Sequence, residues 1–242
     1  MKKVSFIVPF FNEEKVLSRT VKEIHDFIKK NVDDFEIIFV SDGSYDNSLN
    51  IVESYAGRFK NLYVVTYKKN QGRGEAIRQG FMKATGETIG YFDCDLEIKL
   101  KYILEALQFI QKYDVVIASK FAEGSRIDTP LVRKISSVLY NLQVKIILGS
   151  RVSDHQAGFK FFKKKVIDDI LSTTQEKGWL FDTEILYLAQ KEHFSIYELP
   201  ISIRYGYRKL RGTFILDFLK LPLVLFSLKR KMDRRVKEKF IT

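Results

Sequence analysis

The sequence predicts an α/β fold in which a mostly parallel sheet is flanked by helices. Short apolar runs alternate with amphipathic helical segments over the first 120 residues. These runs are apolar throughout rather than alternating, which is typical of strands that are buried on both faces of a parallel sheet. Polar loops containing glycine follow the runs, and such loops gather at the carboxyl edge of an open sheet, where ligands bind.

The first half of the chain supplies most of the predicted sheet. Apolar runs predict strands at residues 4–8, 35–40, 62–67, 87–92 and 113–119. The intervening segments predict helices at 13–30, from Asp46 or Asn47 onward, from 70 to about 85, and at 99–112. In the first helix, Val16, Leu17, Val21, Ile24 and Ile28 share the face that we expect to be buried.

The second half is less regular. Thr129 and Pro130 predict a cap and a first-turn proline for a helix over 131–148. The sequence DHQAGFKFF predicts a loop that leads into a short strand. Residues 181–189 predict a helix, and residues 195–205 predict an edge strand that tolerates Pro200. Without a visible linker, we expect one domain over 1–212, followed by an appended segment over 213–242.

Composition narrows the class of protein. The chain has 242 residues, of which 45% are hydrophobic and 29% are charged, as in soluble globular proteins. Cys94 is the only cysteine, so no intrachain disulfide forms, and a reducing compartment is expected. The N-terminal apolar run is short and is followed at once by acids, which favours a buried first strand over a signal peptide.

The positive charge is concentrated at the C-terminus. The formal net charge is +11, and residues 204–242 contain 12 lysines and arginines against three acids. An apolar segment at 214–228 precedes the basic cluster, but Asp217, Lys220 and Pro222 interrupt it, so it is too short and too broken to span a bilayer. We expect an amphipathic helix on an anionic membrane surface, the alternative being a helix that packs on the core and ends in a solvated tail.

Two of the strand-ending loops have features of ligand-binding loops. In the loop after the second strand, Asp42 stands beside Gly43 and Ser44 in a tight turn suited to a ribose or a base edge. In the next loop, Arg73 lies between Gly72 and Gly74 at a helix start, where backbone N–H groups favour anions. A solvated turn is an equal alternative for these glycines.

The fourth strand ends in three acids, Asp93, Asp95 and Glu97. Because strand side chains alternate between faces, we expect all three to lie on one side and Cys94 to point away from it into the core. Their mutual repulsion is relieved if they hold a hard divalent cation together with phosphate oxygens; the alternative is a solvated acidic turn. No Cys/His metal spacing, G-x-S-x-G motif or dinucleotide fingerprint is present, which argues against a redox role.

The loops in this order resemble those of family-2 glycosyltransferases with the GT-A fold, over residues 3–212. The segments ASKF, DHQAGFKFF, GWLFDTEILYLA and ELPISIRYGYRKLRG are similar to segments of the polyprenyl-phosphate sugar synthases, which include the dolichyl-phosphate glucose and mannose synthases. The match has three departures: Ser41 replaces an aspartate, Lys120 an arginine, and Arg208 a serine.

The resemblance implies a role for each matching residue. The nucleotide sugar would contact Pro9, Phe11, Glu13, Asp42, Gly43, Arg73 and Asp93. Asp93, Asp95 and Glu97 would hold Mg²⁺ or Mn²⁺, Glu97 standing where the family often has glutamine. Lys120 and Arg133 would bind the acceptor phosphate, Lys209 would close over the site, and Asp95, Lys120, Arg133 and Lys209 would form the catalytic set.

The implied reaction is metal-dependent, inverting transfer of a hexose from UDP-glucose or GDP-mannose to a polyprenyl phosphate. It would take place at the cytoplasmic face of a membrane, with the enzyme bound peripherally and with or without a membrane-protein partner. An anionic acceptor phosphate needs no general base. One alternative is a soluble transferase that acts on a glycan hydroxyl, with Asp182 or Glu184 as the base. A more distant alternative is a basic nucleic-acid-binding module; no nucleic acid is expected for the leading interpretation.

Overall fold

The fold is organised around one seven-stranded sheet. A computed structural model describes residues 3–204 and 214–239, with side chains in the second range described from 220 to 238. The strand order is β3-β2-β1-β4-β7-β5-β8, and all neighbouring strands run parallel except at β7, which is antiparallel to both β4 and β5. The strands are β1 (Val4–Phe10), β2 (Phe35–Ser41), β3 (Leu62–Thr66), β4 (Thr88–Phe92), β5 (Val115–Ser119), β7 (Phe159–Lys163) and β8 (Ile196–Pro200).

Helices cover both faces of the sheet. The described helices are α1 (Glu14–Asn31), α2 (Ser48–Ala56), α3 (Arg73–Lys83), α4 (Tyr102–Phe109), α5 (Leu131–Leu148), α6 (Lys164–Ile170), α7 (Phe181–Lys191) and α8 (Phe214–Lys239). One core cluster lies between the sheet and α1, α2 and α4, and a second lies between the sheet and α3, α5, α6, α7 and α8. Successive strand residues enter opposite clusters, as Phe6 and Ile7 do, which explains why the strands are apolar throughout.

The first helix follows its predicted periodicity. Leu17, Val21, Ile24 and Ile28 are buried at spacings of four, three and four residues, whereas Val16, predicted on the same face, is exposed.

The prediction for α5 is confirmed in its bounds but not in its cap. Pro130 lies before the helix, and the buried Thr129 hydroxyl has no hydrogen-bond partner.

The predicted edge strand over 195–205 is two strands in different sheets. The first part is β8, which forms the sheet edge and ends at Pro200, a position that needs no ladder N–H. After the buried Ile201, β9 (Ser202–Arg204) pairs in parallel with β6 (Arg126–Asp128), a strand that was not predicted. At the break, the Ile201 backbone bonds to the segment around β6 instead of to β5: its N–H donates to Ser125 Oγ at 3.1 Å, and its carbonyl accepts from the Arg126 N–H at 3.0 Å.

The C-terminal helix packs on the rest of the chain. Leu221, Leu225, Leu228 and Met232 of α8 are buried in the second core cluster. Arg235, also buried, pairs with Glu184 of α7 at 2.9 Å. The packed-helix alternative is therefore observed for this part, although the predicted boundary at residue 212 lies outside the described residues. Within the ranges that the structure describes, none of the helices combines the length and the apolar character that crossing a bilayer requires.

Candidate active site

The four strand-ending loops meet in an open cleft of about 240 Å³ at one edge of the sheet. This confirms the prediction that they gather on the same side. The lining consists of Pro9, Phe10, Phe11, Glu13, Asp42, Arg73, Ala76, Asp93, Cys94 and Asp95. Cys94 is buried in the first core cluster, as predicted, although it also borders the cleft.

Asp42 ties the second loop to the third. Its buried carboxylate accepts hydrogen bonds from the Tyr67 hydroxyl at 2.7 Å, the Gln71 N–H at 2.8 Å and the Gly72 N–H at 3.0 Å. Burial raises the pKa of Tyr67, and the hydrogen bond to Asp42 raises it further. The structure thus assigns Asp42 to holding the loops together, and its contact with a base stays a prediction.

The glycines of these loops are required by close packing. Gly43 has a φ of +68°, and a Cβ there would lie 2.6 Å from the Asn70 nitrogen; it does not line the cleft. Gly72 has a φ of +109°, and its Cβ would lie 2.4 Å from the Lys177 carbonyl oxygen. At Gly74 a Cβ would lie 2.4 Å from the Phe181 side chain. The solvated-turn alternative is therefore wrong for Gly74, which is buried where α3 meets the start of α7.

Arg73 joins the cleft to a buried group of charges. Its Nε donates to Asp93 Oδ1 at 2.8 Å, and its Nη1 donates to Asp182 Oδ2 at 2.5 Å. On the far side of Asp182, Oδ1 accepts from the Tyr91 hydroxyl at 2.6 Å and from Lys160 Nζ at 2.5 Å. Burial would lower the pKa of Arg73, but Asp182 and Asp93 together raise it, so the guanidinium stays charged.

The acidic segment is a turn rather than a continued strand. β4 ends at Phe92, Leu96 has a φ of +53°, and the Glu97 N–H donates to Asp95 Oδ1 at 3.1 Å. Strand alternation was therefore the wrong reason for placing Asp93, Asp95 and Glu97 on one side. They nevertheless share the lining of a small cavity of about 30 Å³, together with Lys120, Ala157 and Gly158.

Part of the repulsion between these acids is offset by arginines. Arg73 pairs with Asp93, and Arg133 Nη2 lies 3.6 Å from Glu97 Oε2. Partial burial raises the pKa of Asp93, Arg73 lowers it, and the neighbouring Asp95 carboxylate raises it again, with a net upward shift. A bound cation is therefore not needed to offset all of the repulsion between these acids, because Arg73 and Arg133 offset part of it.

The donor set still fits a hard divalent cation. Among the residues that the structure describes, no three acidic, histidine or cysteine side chains form a group that could hold a metal ion. Asp93 and Asp95 do line the same cleft, and a pair of carboxylates completed by diphosphate oxygens is a usual setting for Mg²⁺. The assignment of Glu97 as a third ligand stays a prediction.

Lys120 and Arg133, the cations proposed to bind the acceptor, lie at the small cavity that Asp93, Asp95 and Glu97 line. Lys120 is part of its lining, and Arg133 lies close to Glu97. Lys120 follows β5, and its Nζ lies 2.7 Å from Asp154 of the DHQ segment, whose carboxylate is fully buried. Arg133 lies in the first turn of α5. Lys209 lies outside the described residues, as does the departure at Arg208.

Neither acid suggested as a general base is placed to act as one. Asp182 is buried and accepts hydrogen bonds from Arg73, Lys160 and Tyr91. Glu184 is also buried and accepts from the N–H groups of Gln175 and Glu176 and from Arg235. Neither belongs to the lining of the cleft.

Sequence reasoning missed Lys160 and Asp154. Lys160 is fully buried in β7, and its Nζ donates to the Ala157 carbonyl at 2.6 Å as well as to Asp182. The signal was available, since a lysine inside the apolar run FKFF must find a buried partner. The identity of that partner depends on the packing of β7 against α7, which no local pattern gives.

Curated relatives resemble most of this chain. Glycosyltransferase AglD of Haloferax volcanii is 29% identical over 202 residues, covering 82% of this chain and 32% of that protein. Dolichyl-phosphate beta-glucosyltransferase ALG5D of Trichomonas vaginalis is 28% identical over 211 residues, covering 82% of this chain and 64% of that protein. The chain thus spans less than two thirds of the length of these relatives.

Solved structures share the architecture. Glucosyl-3-phosphoglycerate synthase from Mycobacterium tuberculosis, in complex with Mn²⁺, UDP and phosphoglyceric acid, superposes with a TM-score of 0.68 at 14% identity. That match covers 94% of this chain and 78% of that one. Mannosyl-3-phosphoglycerate synthase from Rubrobacter xylanophilus superposes with a TM-score of 0.68 at 16% identity. This match covers 98% of this chain and 75% of that one. At such identities the likeness concerns the fold alone, and it confirms the expected GT-A class.

The family profile decides the assignment. The profile described as Glycosyl transferase family 2 matches residues 5–171, which include β1 to β5, β7 and the acidic turn. The match covers more than half of the chain and includes every charged side chain that lines the two cavities, from Glu13 to Lys120. The chain belongs to glycosyl transferase family 2.

Proposed function

We propose that this chain transfers a hexose from a nucleotide sugar, UDP-glucose or GDP-mannose, to a polyprenyl phosphate such as dolichyl phosphate, with inversion. The observation that carries the proposal is the shared cavity where Asp93 and Asp95 meet Lys120. The acids would hold a divalent cation that neutralises the leaving diphosphate. The lysine would neutralise the phosphate of the incoming acceptor. The names of the relatives, dolichyl-phosphate beta-glucosyltransferases at 28–29% identity, support the acceptor and favour glucose.

The residues of the chain act by positioning and neutralising two anions. Lys120 and Arg133 hold the acceptor phosphate, one oxygen of which attacks the anomeric carbon opposite the leaving diphosphate. Arg73 lies on the donor side of the cleft and faces the diphosphate. Asp93 and Asp95 would hold Mg²⁺ or Mn²⁺, which when bound would supply Lewis-acid stabilisation of the leaving diphosphate. No proton has to be removed from the acceptor, which accords with the burial of Asp182 and Glu184.

We further propose that the enzyme works as a peripheral protein on the cytoplasmic face of a membrane. In support, α5 begins beside the acceptor site and exposes a stripe of apolar residues at spacings of four, four, three and four. The stripe consists of Leu131, Ile135, Leu139, Leu142 and Ile146. The neighbouring α8 exposes Leu223 and Phe226 together with Lys220, Arg230, Lys231, Arg234 and Lys237. Exposed apolar and basic side chains together favour an anionic lipid surface.

The decisive experiment is a donor screen. Purified protein is incubated with labelled UDP-glucose or GDP-mannose, Mg²⁺ or Mn²⁺, and a short polyprenyl phosphate. We expect label to partition into organic solvent with UDP-glucose, and to stay aqueous when the metal is chelated. Label that appears only on a soluble glycan would favour the hydroxyl-acceptor alternative. Salt-dependent nucleic-acid binding without any transfer would favour the basic binding module.

A further inference from the structure

Lys160 is the buried end of a row of alternating charges that reaches the cleft. Its side chain is fully buried, and burial lowers the pKa of Lys160, although Asp182 opposes that shift. An ammonium ion so placed is tolerated only with a close carboxylate partner. Asp182 provides it at 2.5 Å, and beyond Asp182 the row continues with Arg73 and Asp93.

Arg73 is shared between an inner and an outer carboxylate. The inner one, Asp182, already has Lys160 and the Tyr91 hydroxyl on its other oxygen. The outer one, Asp93, lies in the cleft. Arg73 Nη2 lies 2.7 Å from Asp93 Oδ1 but is not aligned for a hydrogen bond, so this donor group is not fully used.

We propose that Lys160 is a positioning residue for the nucleotide-sugar site, because it neutralises Asp182 from within and so leaves Arg73 at the cleft wall beside Asp93. The inference rests on the proposed function, in which Arg73 faces the donor diphosphate. Without the ammonium group, Arg73 is the one cation left in contact with Asp182 among the residues that the structure describes, and Coulomb attraction draws the guanidinium inward, away from Asp93. The donor site then loses a preset positive charge, while the acceptor cations Lys120 and Arg133 stay in place.

A split between the two Michaelis constants tests this role. In Lys160→Met we expect KM for the nucleotide sugar to rise at least tenfold, while KM for the polyprenyl phosphate stays within twofold. Lys163→Met is the matched control, since Lys163 lies on the same strand, pairs with Asp114 at 3.0 Å and is absent from both cavity linings. It should leave both constants unchanged. Equal rises in both constants for Lys160→Met, or an unchanged donor KM, would overturn the inference.

Asp182→Asn should move Arg73 in the opposite direction, toward Asp93, because it removes the inner carboxylate charge. Arg73 is then left with Asp93 as its only carboxylate partner in the row, so it competes with the divalent cation for that side chain. We expect the Mg²⁺ concentration for half-maximal activity to rise at least fivefold. Glu36→Gln is the control for losing a buried, paired carboxylate, because Glu36 pairs with Lys3 at 3.1 Å and lies outside both cavities. An equal shift in both variants would mean that only stability had changed.

A crystal structure of Lys160→Met separates this inference from the proposed function. If the unmodified chain bound no nucleotide sugar, the proposed function would fail, yet the position of Arg73 could still be read. We expect Arg73 to keep its contact with Asp182 and to lose its contact with Asp93. An Arg73 that still bridges both carboxylates would show that Lys160 does not position it.

Discussion

At the scale of single residues, Gly158 leaves the space that the Asp93 carboxylate occupies. A Cβ at Gly158 would lie only 1.8 Å from Asp93 Oδ2, and the Asp93 N–H donates to the Gly158 carbonyl at 3.1 Å. Gly158→Ala must therefore displace Asp93. Because a shift of about 1 Å in a catalytic group lowers the rate by about a hundredfold, we expect kcat/KM to fall by about that factor.

A second glycine provides the control for that prediction. A Cβ at Gly178 would meet no atom within 4 Å, so Gly178→Ala should leave transfer unchanged. Steady-state kinetics of both variants, with circular dichroism to confirm folding, make the comparison. If Gly158→Ala kept full activity, the Asp93 carboxylate would not need its observed position.

Asp95 carries the prediction of metal dependence. Asp95→Ala removes one of the two carboxylates that the acidic turn contributes to the cleft, so we expect transfer to fall by about a hundredfold or more. The melting temperature should stay within a few degrees, since Asp95 is only partly buried. Asp168→Asn is the control, because it removes an exposed acid that pairs with Lys164 and does not line the cleft. Near-normal turnover in Asp95→Ala would remove the metal assignment.

His155 makes stability depend on pH. Burial, assisted by the Lys160 charge, lowers the pKa of His155 from 6.5 to about 3, although Asp154 and Asp182 oppose the shift. Between these values the unfolded chain binds a proton that the folded chain does not. The free energy of unfolding therefore falls as the pH drops below 6.5, by about 1.4 kcal/mol per unit from this group.

Denaturant unfolding between pH 6.5 and 4.5 measures this effect. This pH range lies above the usual titration range of aspartate. His155→Gln removes the titrating ring, so its stability should fall less steeply with acid than that of the unmodified chain. The ring contacts Ser150 through Nε2 at 2.8 Å, and a glutamine amide can replace that contact. Identical slopes for the two proteins would show that His155 is not kept neutral in the fold.

At the scale of elements, the exposed stripe of α5 predicts where the lipid surface lies. The exposed fractions of Leu131 and Ile146 are 70% and 72%, and Ile135 between them is 49% exposed. Replacing Ile135 and Ile146 by glutamine should weaken binding to vesicles containing anionic lipid, because each buried apolar side chain contributes to interfacial binding. Vesicle co-sedimentation at low and high salt measures the change.

The control for α5 is an exposed apolar residue elsewhere. Met82 of α3 is 65% exposed and does not belong to the stripe, so Met82→Gln should pellet with vesicles like the unmodified chain. Donor affinity should be the same in all three proteins, since none of these side chains lines the cleft. Equal pelleting of the α5 variant would exclude α5 from the membrane contact.

Elements also show what the sequence could predict. The first four strands and α1 follow from apolar periodicity, because that pattern is written in residues that are close in the chain, whatever distant elements they later contact. The division of 195–205 into β8 and β9 does not follow, since β9 pairs with β6 about 75 residues earlier. Likewise Asp93 and Asp95 stand out as acids after a strand, whereas the partnership of Lys160 with Asp182 depends on a contact between distant elements.

At the scale of the whole molecule, α8 completes the second core cluster. Each of the four buried apolar side chains among the described residues 220–238 of α8 contributes about 1.5–3 kcal/mol, and together they approach the whole stability of a typical domain, about 5–15 kcal/mol. Deleting residues 214–242 should therefore lower the melting temperature sharply or prevent folding. The measurement is thermal unfolding of the truncated chain against Leu223→Gln, which alters only an exposed residue of α8. An unchanged melting temperature after truncation would mean that α8 contributes nothing to the core.

The antiparallel strand β7 has a consequence for the order of assembly during synthesis. It pairs with β4 and β5, both of which leave the ribosome earlier, and it separates the strands that carry the acids and Lys120. A nascent chain that ends before residue 159 therefore has an unpaired edge on β4, and such edges invite pairing with other chains. The donor and acceptor halves become one sheet only after residue 163 has emerged. Translational pausing within residues 93–158 should thus favour aggregation of the nascent chain more than pausing after residue 200, when β8 has also paired with β5.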